Sequence, residues 1–381
     1  NIADFLNIRI CQELETISEL QNAQADFTRR IHKSPTQKEQ QEQVLEFAAR
    51  IGADKKQLKK DRQAFKRWFG VDTVLERCKK RVAEHEYAIA DKLERLGHIS
   101  AEALSEDHRS LDRQQCWERT KLEELIRRLL MYSGDHRVRI EAFKCISLAV
   151  KALPKEIRNM ILRESTVTFI YRAAMASRAH HVWIQCEALT LLAEIAPESF
   201  LLALHHRLTN PEQDDDIFVR RRAVRLLGAH AEFHQAAEDL IPQIINDPSI
   251  YVRQGIAEAL GMMLASDSAA ENFNLWQWYT QLVTSDQSAQ VRAAALFAAR
   301  RMVVIATLVT RVADLLSEVI QNERDVLALK AALTAAVDAI ELLYTDNLDD
   351  QAVAFGTQLL PVITRVHQDS DSLVIRRYAA L

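Results

Sequence analysis

Residues that interrupt helices are scarce in this chain. Among 381 residues there are only eight glycines and seven prolines, and both types weaken or kink a helix when they lie inside it. No stretch alternates apolar and polar residues with the period of two that is typical of a half-buried β-strand. Alanine, leucine, glutamate, arginine and glutamine, which favour helix, are abundant. The composition therefore predicts an all-α protein.

Long apolar runs and cysteine pairs are also missing. No segment has eighteen consecutive apolar residues, the length that indicates a membrane-spanning helix. The cysteines are odd in number, widely spaced and without a CxxC pair, which predicts reduced thiols in a cytoplasmic protein. They are Cys11, Cys78, Cys116, Cys145 and Cys186. The chain begins at Asn1 rather than Met and stops at Leu381 inside a predicted helix, so we expect a piece of a longer protein whose repeats continue.

The common catalytic signatures do not occur either. The sequence has no P-loop, no GxGxxG, no GxSxG and no HExxH. His230 and His234 are four residues apart, which can place two imidazoles on one helix face, but the neighbouring residues do not complete a metal-ligand set. We therefore expect no metal, no cofactor, no small-molecule substrate and no catalytic residues. The net charge of −4 does not indicate a general nucleic-acid binder.

What the sequence does contain is a repeated dipeptide. An apolar residue followed directly by a basic or amide residue occurs seven times, at intervals of 46, 35, 33, 39, 38 and 46 residues. The copies are Val138-Arg139, Ile184-Gln185, Val219-Arg220, Val252-Arg253, Val291-Arg292, Leu329-Lys330 and Ile375-Arg376. A period in this range is typical of helical solenoids, which stack helix pairs and present a long surface to a partner.

Three copies carry a fuller pattern, in which an aspartate turn precedes the dipeptide and a run of alanine and leucine follows it. They lie at 216–228, 247–261 and 286–296. This pattern resembles the second helix of HEAT repeats, and the resemblance covers residues 119–381. It implies an α-α superhelix of about seven repeats. Apolar periodicity places the first helices of the repeats at 120–132, 165–176, 198–209, 236–246, 270–284, 304–321 and 351–367, with an extra short helix at 155–163.

Each residue type in the pattern has a physical reason. An aspartate just before a helix accepts hydrogen bonds from the free amides of its first turn. A small residue four places after the apolar one lies on the same helix face, where it lets a neighbouring helix approach. Such residues are Ala142, Ala188, Ala223, Ala295 and Ala379. We expect Gly228 and Gly261 to end their helices, because left-handed backbone is easily adopted by glycine.

Residues 1–118 lack the repeat. Apolar residues recur at three- and four-residue steps from Ile2 to Leu20, which predicts a long amphipathic helix. Further helices are expected at 36–51, 54–69, 73–97 and 100–106, separated by Pro35, Gly52, Gly70 and Gly97. The predicted organisation is therefore a helical bundle or coiled-coil arm over 1–118, followed by the repeats over 119–381.

Two groups of basic residues are candidate contact sites. The first is a basic segment with interleaved aromatics that could lie on an anionic membrane surface or contact nucleic acid, although a solvated helix face with its aromatics in a core explains it too. Its residues are Lys55, Lys56, Lys59, Lys60, Lys66 and Arg67. The second group, Arg221, Arg222 and Arg225, exceeds the family pattern and is our candidate for binding a partner. We expect Arg221 and Arg225, four residues apart, to be exposed as unpaired positive charge.

The repeated arginines themselves have a different expected role. In the HEAT family this position usually belongs to a ladder, in which each arginine bonds to an aspartate or a carbonyl of an adjacent repeat. The resemblance implies this role for Arg139, Arg220, Arg253, Arg292 and Arg376.

The function expected from these observations is that of a non-catalytic scaffold or adaptor. It would bind a protein partner, or another domain of its own longer chain, on the repeat surface. Two alternatives remain open: a solenoid that binds nucleic acid, and a peripheral membrane protein held by residues 54–69.

Overall fold

The computed structural model describes residues 2–34, 36–52, 70–106, 117–118, 121–175, 181–209, 217–266 and 269–380. Every regular element in these ranges is a helix, which confirms the all-α prediction. Contacts divide the chain into two compact units, one of residues 1–170 with 194–196 and one of residues 171–193 with 197–381. The basic cluster Lys55, Lys56, Lys59, Lys60, Lys66 and Arg67 lies outside the described residues.

The first unit begins with long helices. Helix α1 (Ile2–Ile31) is followed by α2 (Gln37–Arg50) and α3 (Val71–Glu106). Phe27 of α1 and Phe47 of α2 stack with ring centroids 4.4 Å apart, and both are buried in a core that α3 also lines. Burial of such apolar surface stabilises the packing of the three helices. The remaining helices are α4 (Leu122–Leu130), α5 (His136–Lys151), α6 (Lys155–Ile161) and α7 (Glu164–Met175), the last of which crosses into the second unit.

Gly97 does not end a helix, so the prediction of separate helices at 73–97 and 100–106 is wrong. Helix α3 runs for 36 residues through Gly97 and packs against α5. A Cβ atom added at Gly97 would lie 3.0 Å from the Cα atom of Cys145 in α5. The glycine is therefore needed for the close approach of two helices, and its cost to helix propensity is offset by that contact.

Two adjacent polar residues of α3, His85 and Glu86, make hydrogen bonds to other helices and turns of the first unit. His85 Nδ1 lies 2.5 Å from Glu13 Oε2, and Lys92 Nζ donates to Glu13 Oε1 over 3.0 Å. Glu86 Oε1 accepts from the Tyr132 hydroxyl at 2.6 Å and from the Asp135 amide at 2.9 Å. Burial acts to raise the pKa of Glu13, but the bonds and charges of His85 and Lys92 outweigh it, so this pKa lies below its ordinary value.

Four of the five cysteines lie in the described part of the chain. Cys11, Cys78, Cys145 and Cys186 are free, and the last three are buried, whereas Cys116 lies outside the described residues. Burial raises the pKa of the Cys145 thiol to about 12, because a thiolate is poorly solvated in an apolar surrounding. Cys145 is therefore a neutral packing residue and not a nucleophile at neutral pH.

The second unit consists of alternating first and second helices. The second helices are α8 (Val182–Ile195, whose last two residues belong to the first unit), α10 (Ile217–Ala229), α12 (Ile250–Leu264), α14 (Ala289–Ala299), α16 (Val326–Thr345) and α18 (Leu373–Ala380). The first helices are α9 (Pro197–Thr209), α11 (His234–Ile244), α13 (Phe273–Ser285), α15 (Ala306–Asn322) and α17 (Asp349–Asp369). Short 3₁₀ turns precede α11 and α15.

These helices form two layers. From α10 onward each second helix packs on the next second helix, and from α9 onward each first helix packs on the next first helix. The repeated dipeptide opens each second helix, with its apolar member buried. The arrangement is that of HEAT-like helix pairs, as the sequence resemblance implies. The expected start of the repeats at residue 119 stays a prediction.

Gly228 and Gly261 lie inside α10 and α12, so the expectation that they end their helices is wrong. Neither has a positive φ; among the described glycines only Gly52 does. A Cβ atom added at Gly228 would lie 2.5 Å from the Cα atom of Ala259, and one added at Gly261 would lie 2.4 Å from the Cβ atom of Ala298. Both glycines therefore permit contact between successive second helices.

Within the ranges given above, every helix is too short or too polar to cross a lipid bilayer. Pro242 and Pro361 lie inside first helices α11 and α17.

Candidate functional site

Successive second helices are joined by ion pairs. Arg253 of α12 donates from Nε to Asp286 Oδ2 at 2.7 Å and from Nη2 to Oδ1 at 3.2 Å, while its Nη1 donates to the Asp247 carbonyl at 2.7 Å. One repeat later, Arg292 makes the same set of bonds to the two oxygens of Glu323, at 2.7 and 3.0 Å, and to the Asp286 carbonyl at 2.8 Å. The ladder implied by the resemblance is therefore present at Arg253 and Arg292.

The ladder is most deeply buried at Arg220. This arginine of α10 pairs with Asp247, and their side chains are only 4% and 3% exposed. Asp247 has a second role, since its Oδ1 accepts the Ser249 amide at 2.8 Å at the start of α12. Asp286 likewise accepts the Ser288 amide at 2.8 Å before α14. Each aspartate thus bonds to the amide of the N-cap serine of its helix and not to a first-turn amide, so the predicted capping role is wrong here. The aspartates also receive the arginine of the previous repeat.

In two copies of the dipeptide the second residue is not arginine, and Gln185 and Lys330 make other contacts in place of the ladder ion pair. Gln185, at the ladder position of α8, is buried and accepts a hydrogen bond from Arg207 of α9 at 2.7 Å. Arg207 also donates to the Ala174 carbonyl at 2.5 Å. Lys330 of α16 lies 4.6 Å from the centre of the Tyr378 ring in a cation–π contact. Each copy still links its helix to a neighbour. For Arg139 and Arg376 the ladder role stays a prediction.

The ladder also makes part of the stability of the second unit depend on pH. Burial acts to raise the pKa of Glu323, but the hydrogen bond from Arg292, the amides of Asp325 and Arg324 and the arginine charge lower it below its ordinary value. A carboxyl group whose folded pKa is lowered stabilises the fold fully above its unfolded pKa, and this contribution is lost as pH falls through the folded pKa.

We therefore expect Glu323→Gln to lower the free energy of unfolding by roughly 1–3 kcal/mol at about pH 7, because the variant loses a charge-assisted interaction. The difference from wild type should shrink at an acidic pH below the lowered pKa of Glu323, because the wild-type side chain is then protonated too. Urea unfolding at both pH values measures this. The matched control is Glu318→Gln, which changes an exposed residue of α15, the helix that ends just before Glu323. A difference of equal size at the two pH values would contradict the assignment.

The three candidate arginines of α10 do not lie together as free charge. Glu258 of α12 receives both Arg221, at 2.7 Å, and Arg225, at 2.7 Å. Arg222 points towards the preceding repeat, 3.7 Å from Glu187. Arg225 is 53% exposed and Arg221 29%. The expectation of unpaired charge at Arg221 and Arg225 is therefore wrong, because a carboxylate from the next helix, 33 and 37 residues away in sequence, partly neutralises both. Their role in partner binding stays a prediction.

A row of aromatic side chains lies one helical turn before these arginines. Trp183, Phe218 and Tyr251 are each the second residue of a second helix and each directly precede the repeated dipeptide. Ring centroids are 6.0 Å apart from Trp183 to Phe218 and 6.1 Å from Phe218 to Tyr251. The three residues are 45%, 45% and 47% exposed. We call them the aromatic row.

The sequence reasoning missed the aromatic row. The signal was available, because aligning the copies on the dipeptide puts an aromatic residue in the same column at Trp183, Phe218 and Tyr251. Two further tryptophans, Trp276 and Trp278, lie on first helix α13 and are not part of this row. The Cζ atom of Arg311 lies 4.5 Å from the centre of the Trp276 ring.

The described residues contain no group of three or more histidine, cysteine or carboxylate side chains placed to hold a metal ion. His230 Nδ1 lies 3.8 Å from Glu232 Oε1.

No protein-family model matches the chain, and no curated protein matches it. Among solved structures, crystal structures of Kap121p are similar to it. Kap121p bound to Ste12p aligns over 94% of this chain and 44% of that chain, with a TM-score of 0.41 and 12% identity. Kap121p bound to Nup53p aligns over 99% of this chain and 52% of that chain, with a TM-score of 0.37 and 13% identity. The chain thus spans about half the length of these structures or less.

Proposed function

We propose that this chain is a non-catalytic scaffold that binds a protein partner, or another domain of a longer chain, on the second-helix surface of the second unit. The observation that carries the proposal is the aromatic row. Three half-exposed rings in one register, on three successive second helices, form a contiguous apolar strip. Monomeric proteins rarely expose such strips outside interaction sites, and aromatic residues dominate the energetics of protein interfaces.

The ladder supports the same proposal. Bonds at Arg220, Arg253 and Arg292 tie each second helix to the turn before the next one. Helices held in this way present their exposed side chains at a fixed spacing, which lowers the entropy lost when a partner binds. The ladder therefore favours a preorganised surface over a mobile one.

Site-specific photocrosslinking tests the proposal. A photoreactive amino acid replaces Gln290, the exposed residue of α14 that occupies the column of the aromatic row, in the full chain expressed in its native cells. Gln277, an exposed glutamine on first helix α13, is the matched control. We expect a discrete protein adduct from position 290 and none from position 277, and we expect loss of that adduct when Trp183, Phe218 and Tyr251 are all changed to Ala. Equal adducts from both positions, or none from 290, would refute the proposal.

The two alternatives give different results in the same experiment. An adduct that is digested by nuclease would favour nucleic-acid binding. Membrane attachment through residues 54–69 stays a prediction, and co-sedimentation of the full chain with anionic vesicles tests it.

A further inference from the structure

A shallow groove lies about two helical turns beyond the aromatic row on α10 and α12, the two helices that it shares with the row. It has a volume of about 260 Å³ and lies between α10, α12 and α14. Its charged lining is Arg225, Arg300, Arg301 and Glu258, and Phe297 and Met262 supply apolar surface. Phe297 is itself 44% exposed. We call this the arginine groove.

The aromatic row and the arginine groove belong to one face. Phe218, Arg221 and Arg225 are spaced at i, i+3 and i+7 on α10, which places them along one side of a helix. The distance along the axis from Phe218 to Arg225 is about 10 Å, since each residue rises about 1.5 Å. Gly255 helps to join the two regions, because a Cβ atom there would lie 3.0 Å from the Cγ atom of Arg221, whose side chain crosses α12 to reach Glu258.

Positive charge is in excess on this face. Arg221 and Arg225 share the single carboxylate of Glu258, and Arg222 has a longer contact to Glu187. In the groove, Arg300 pairs with Asp338 at 2.9 Å, and the ion pairs recorded for the described residues do not include Arg301. Five arginines therefore stand against three carboxylates. The face therefore attracts anionic groups, and its carboxylates lie between the arginines.

The spacing of the rings suits an extended chain. Alternate side chains on one side of a β-strand are about 6.6 Å apart. The ring separations of 6.0 and 6.1 Å in the aromatic row are close to that value. A segment that crosses the second helices in extended conformation can therefore set alternate apolar side chains against successive rings.

We propose that the aromatic row and the arginine groove together bind an extended acidic segment of a partner protein, with apolar residues at alternate positions on the aromatic row and carboxylates on Arg221, Arg222, Arg225 and Arg301. The proposal rests on the proposed function and adds the chemistry of the partner. Bidentate arginine–carboxylate pairs orient such a segment, and the rings of the aromatic row, which the segment buries on binding, supply most of the affinity.

A single-stranded nucleic acid is the rival ligand, because it also combines negative charge with stacking surfaces. The carboxylates of Glu187, Glu258 and Asp338 lie among the arginines. A continuous phosphate backbone would pass close to each of them, whereas a peptide can place its few carboxylates opposite arginines only. The mixed charge therefore favours the peptide.

The test begins with selection of 12-residue peptides from a random phage library on the full chain. We expect the selected peptides to be enriched in Asp and Glu, with aromatic or aliphatic residues at alternate positions. A fluorescein-labelled selected peptide then serves as the probe in fluorescence polarisation, beside a copy with Lys in place of its acids and a 12-nucleotide single-stranded DNA. Both comparison ligands should bind at least about tenfold more weakly than the probe.

Matched variants locate the site. Phe218→Ala and Tyr251→Ala should each lower the affinity for the probe by about tenfold or more. Phe273→Ala, which removes a 69% exposed ring from α13, should leave the affinity unchanged. Arg301→Glu should lower the affinity as strongly. Arg365→Glu, which changes an exposed arginine of α17, should leave the affinity unchanged. Binding of the probe should also weaken with added salt.

Each contrary result is decisive. The proposal is overturned if no peptide is selected, if the selected peptides are basic or uncharged, if the DNA binds as well as the probe, or if Arg301→Glu and Arg365→Glu behave alike. Failure of the proposed function is distinguishable. If the photoadduct at position 290 still forms and still depends on the aromatic row while any of these results is found, the scaffold stands and only the acidic chemistry is wrong.

Discussion

Replacing Arg220 with alanine should lower the free energy of unfolding by about 3–5 kcal/mol, because it leaves the carboxylate of Asp247 buried without its counter-charge. Both side chains are almost completely buried, so water cannot take the place of the guanidinium. This is the largest effect we expect from any single ladder position, since Arg253 and Arg292 are about 15% exposed. Urea unfolding followed by circular dichroism measures it.

Two further variants separate the charge pair from other effects at this position. Arg225→Ala removes a half-exposed arginine from the same helix and should cost less than about 1 kcal/mol. The double variant Arg220→Met with Asp247→Asn removes both charges but keeps a side-chain oxygen that can accept the Ser249 amide, and it should recover much of the loss. A loss for Arg220→Ala no larger than that for Arg225→Ala would contradict the buried-pair assignment.

Changing Gly228 to alanine should destabilise the second unit, by about 1–3 kcal/mol or more. The new Cβ atom would lie 2.5 Å from the Cα atom of Ala259 and 2.7 Å from its Cβ and carbonyl oxygen atoms, and backbone of a packed helix cannot move aside as a side chain does. The helices α10 and α12 would have to separate. Thermal and urea unfolding of the full chain measure the loss.

Gly356 supplies a control of opposite sign. It lies within α17, and a Cβ atom there would lie 3.6 Å from Ile340 Cδ1, an ordinary van der Waals distance. Gly356→Ala should therefore stabilise by about 0.5–1 kcal/mol, because alanine loses less backbone entropy in a helix. If both substitutions shifted stability in the same direction, the close contact at Gly228 would not be responsible.

The positions of several helices followed from local sequence alone. The first helix expected at 304–321 is α15 (Ala306–Asn322), and the one expected at 165–176 is α7 (Glu164–Met175). Such agreement arises because apolar periodicity and capping residues are properties of neighbouring residues. Gly97, Gly228 and Gly261 were misread for the same reason. Local sequence offers helix ends as the usual role of glycine, and the helix that each one contacts is far away in the chain.

The candidate site was predictable only in part. Arg221, Arg222 and Arg225 are conspicuous in the sequence, but nothing near them indicates Glu258, which neutralises two of them. The aromatic row is a column of the repeat alignment, yet whether rings in one column are buried or exposed depends on the angle at which successive helices pack.

By itself, the sequence determined that this protein is all-α and that its helices come in HEAT-like pairs. These properties depend on periodicity, caps and a repeated register, which each repeat carries within about forty residues. Only the tertiary structure decided which glycines serve helix contacts, which arginines keep excess charge, and which aromatic rings remain exposed. Those outcomes depend on atoms of the next repeat, whose distance and orientation arise from helix packing rather than from any local pattern.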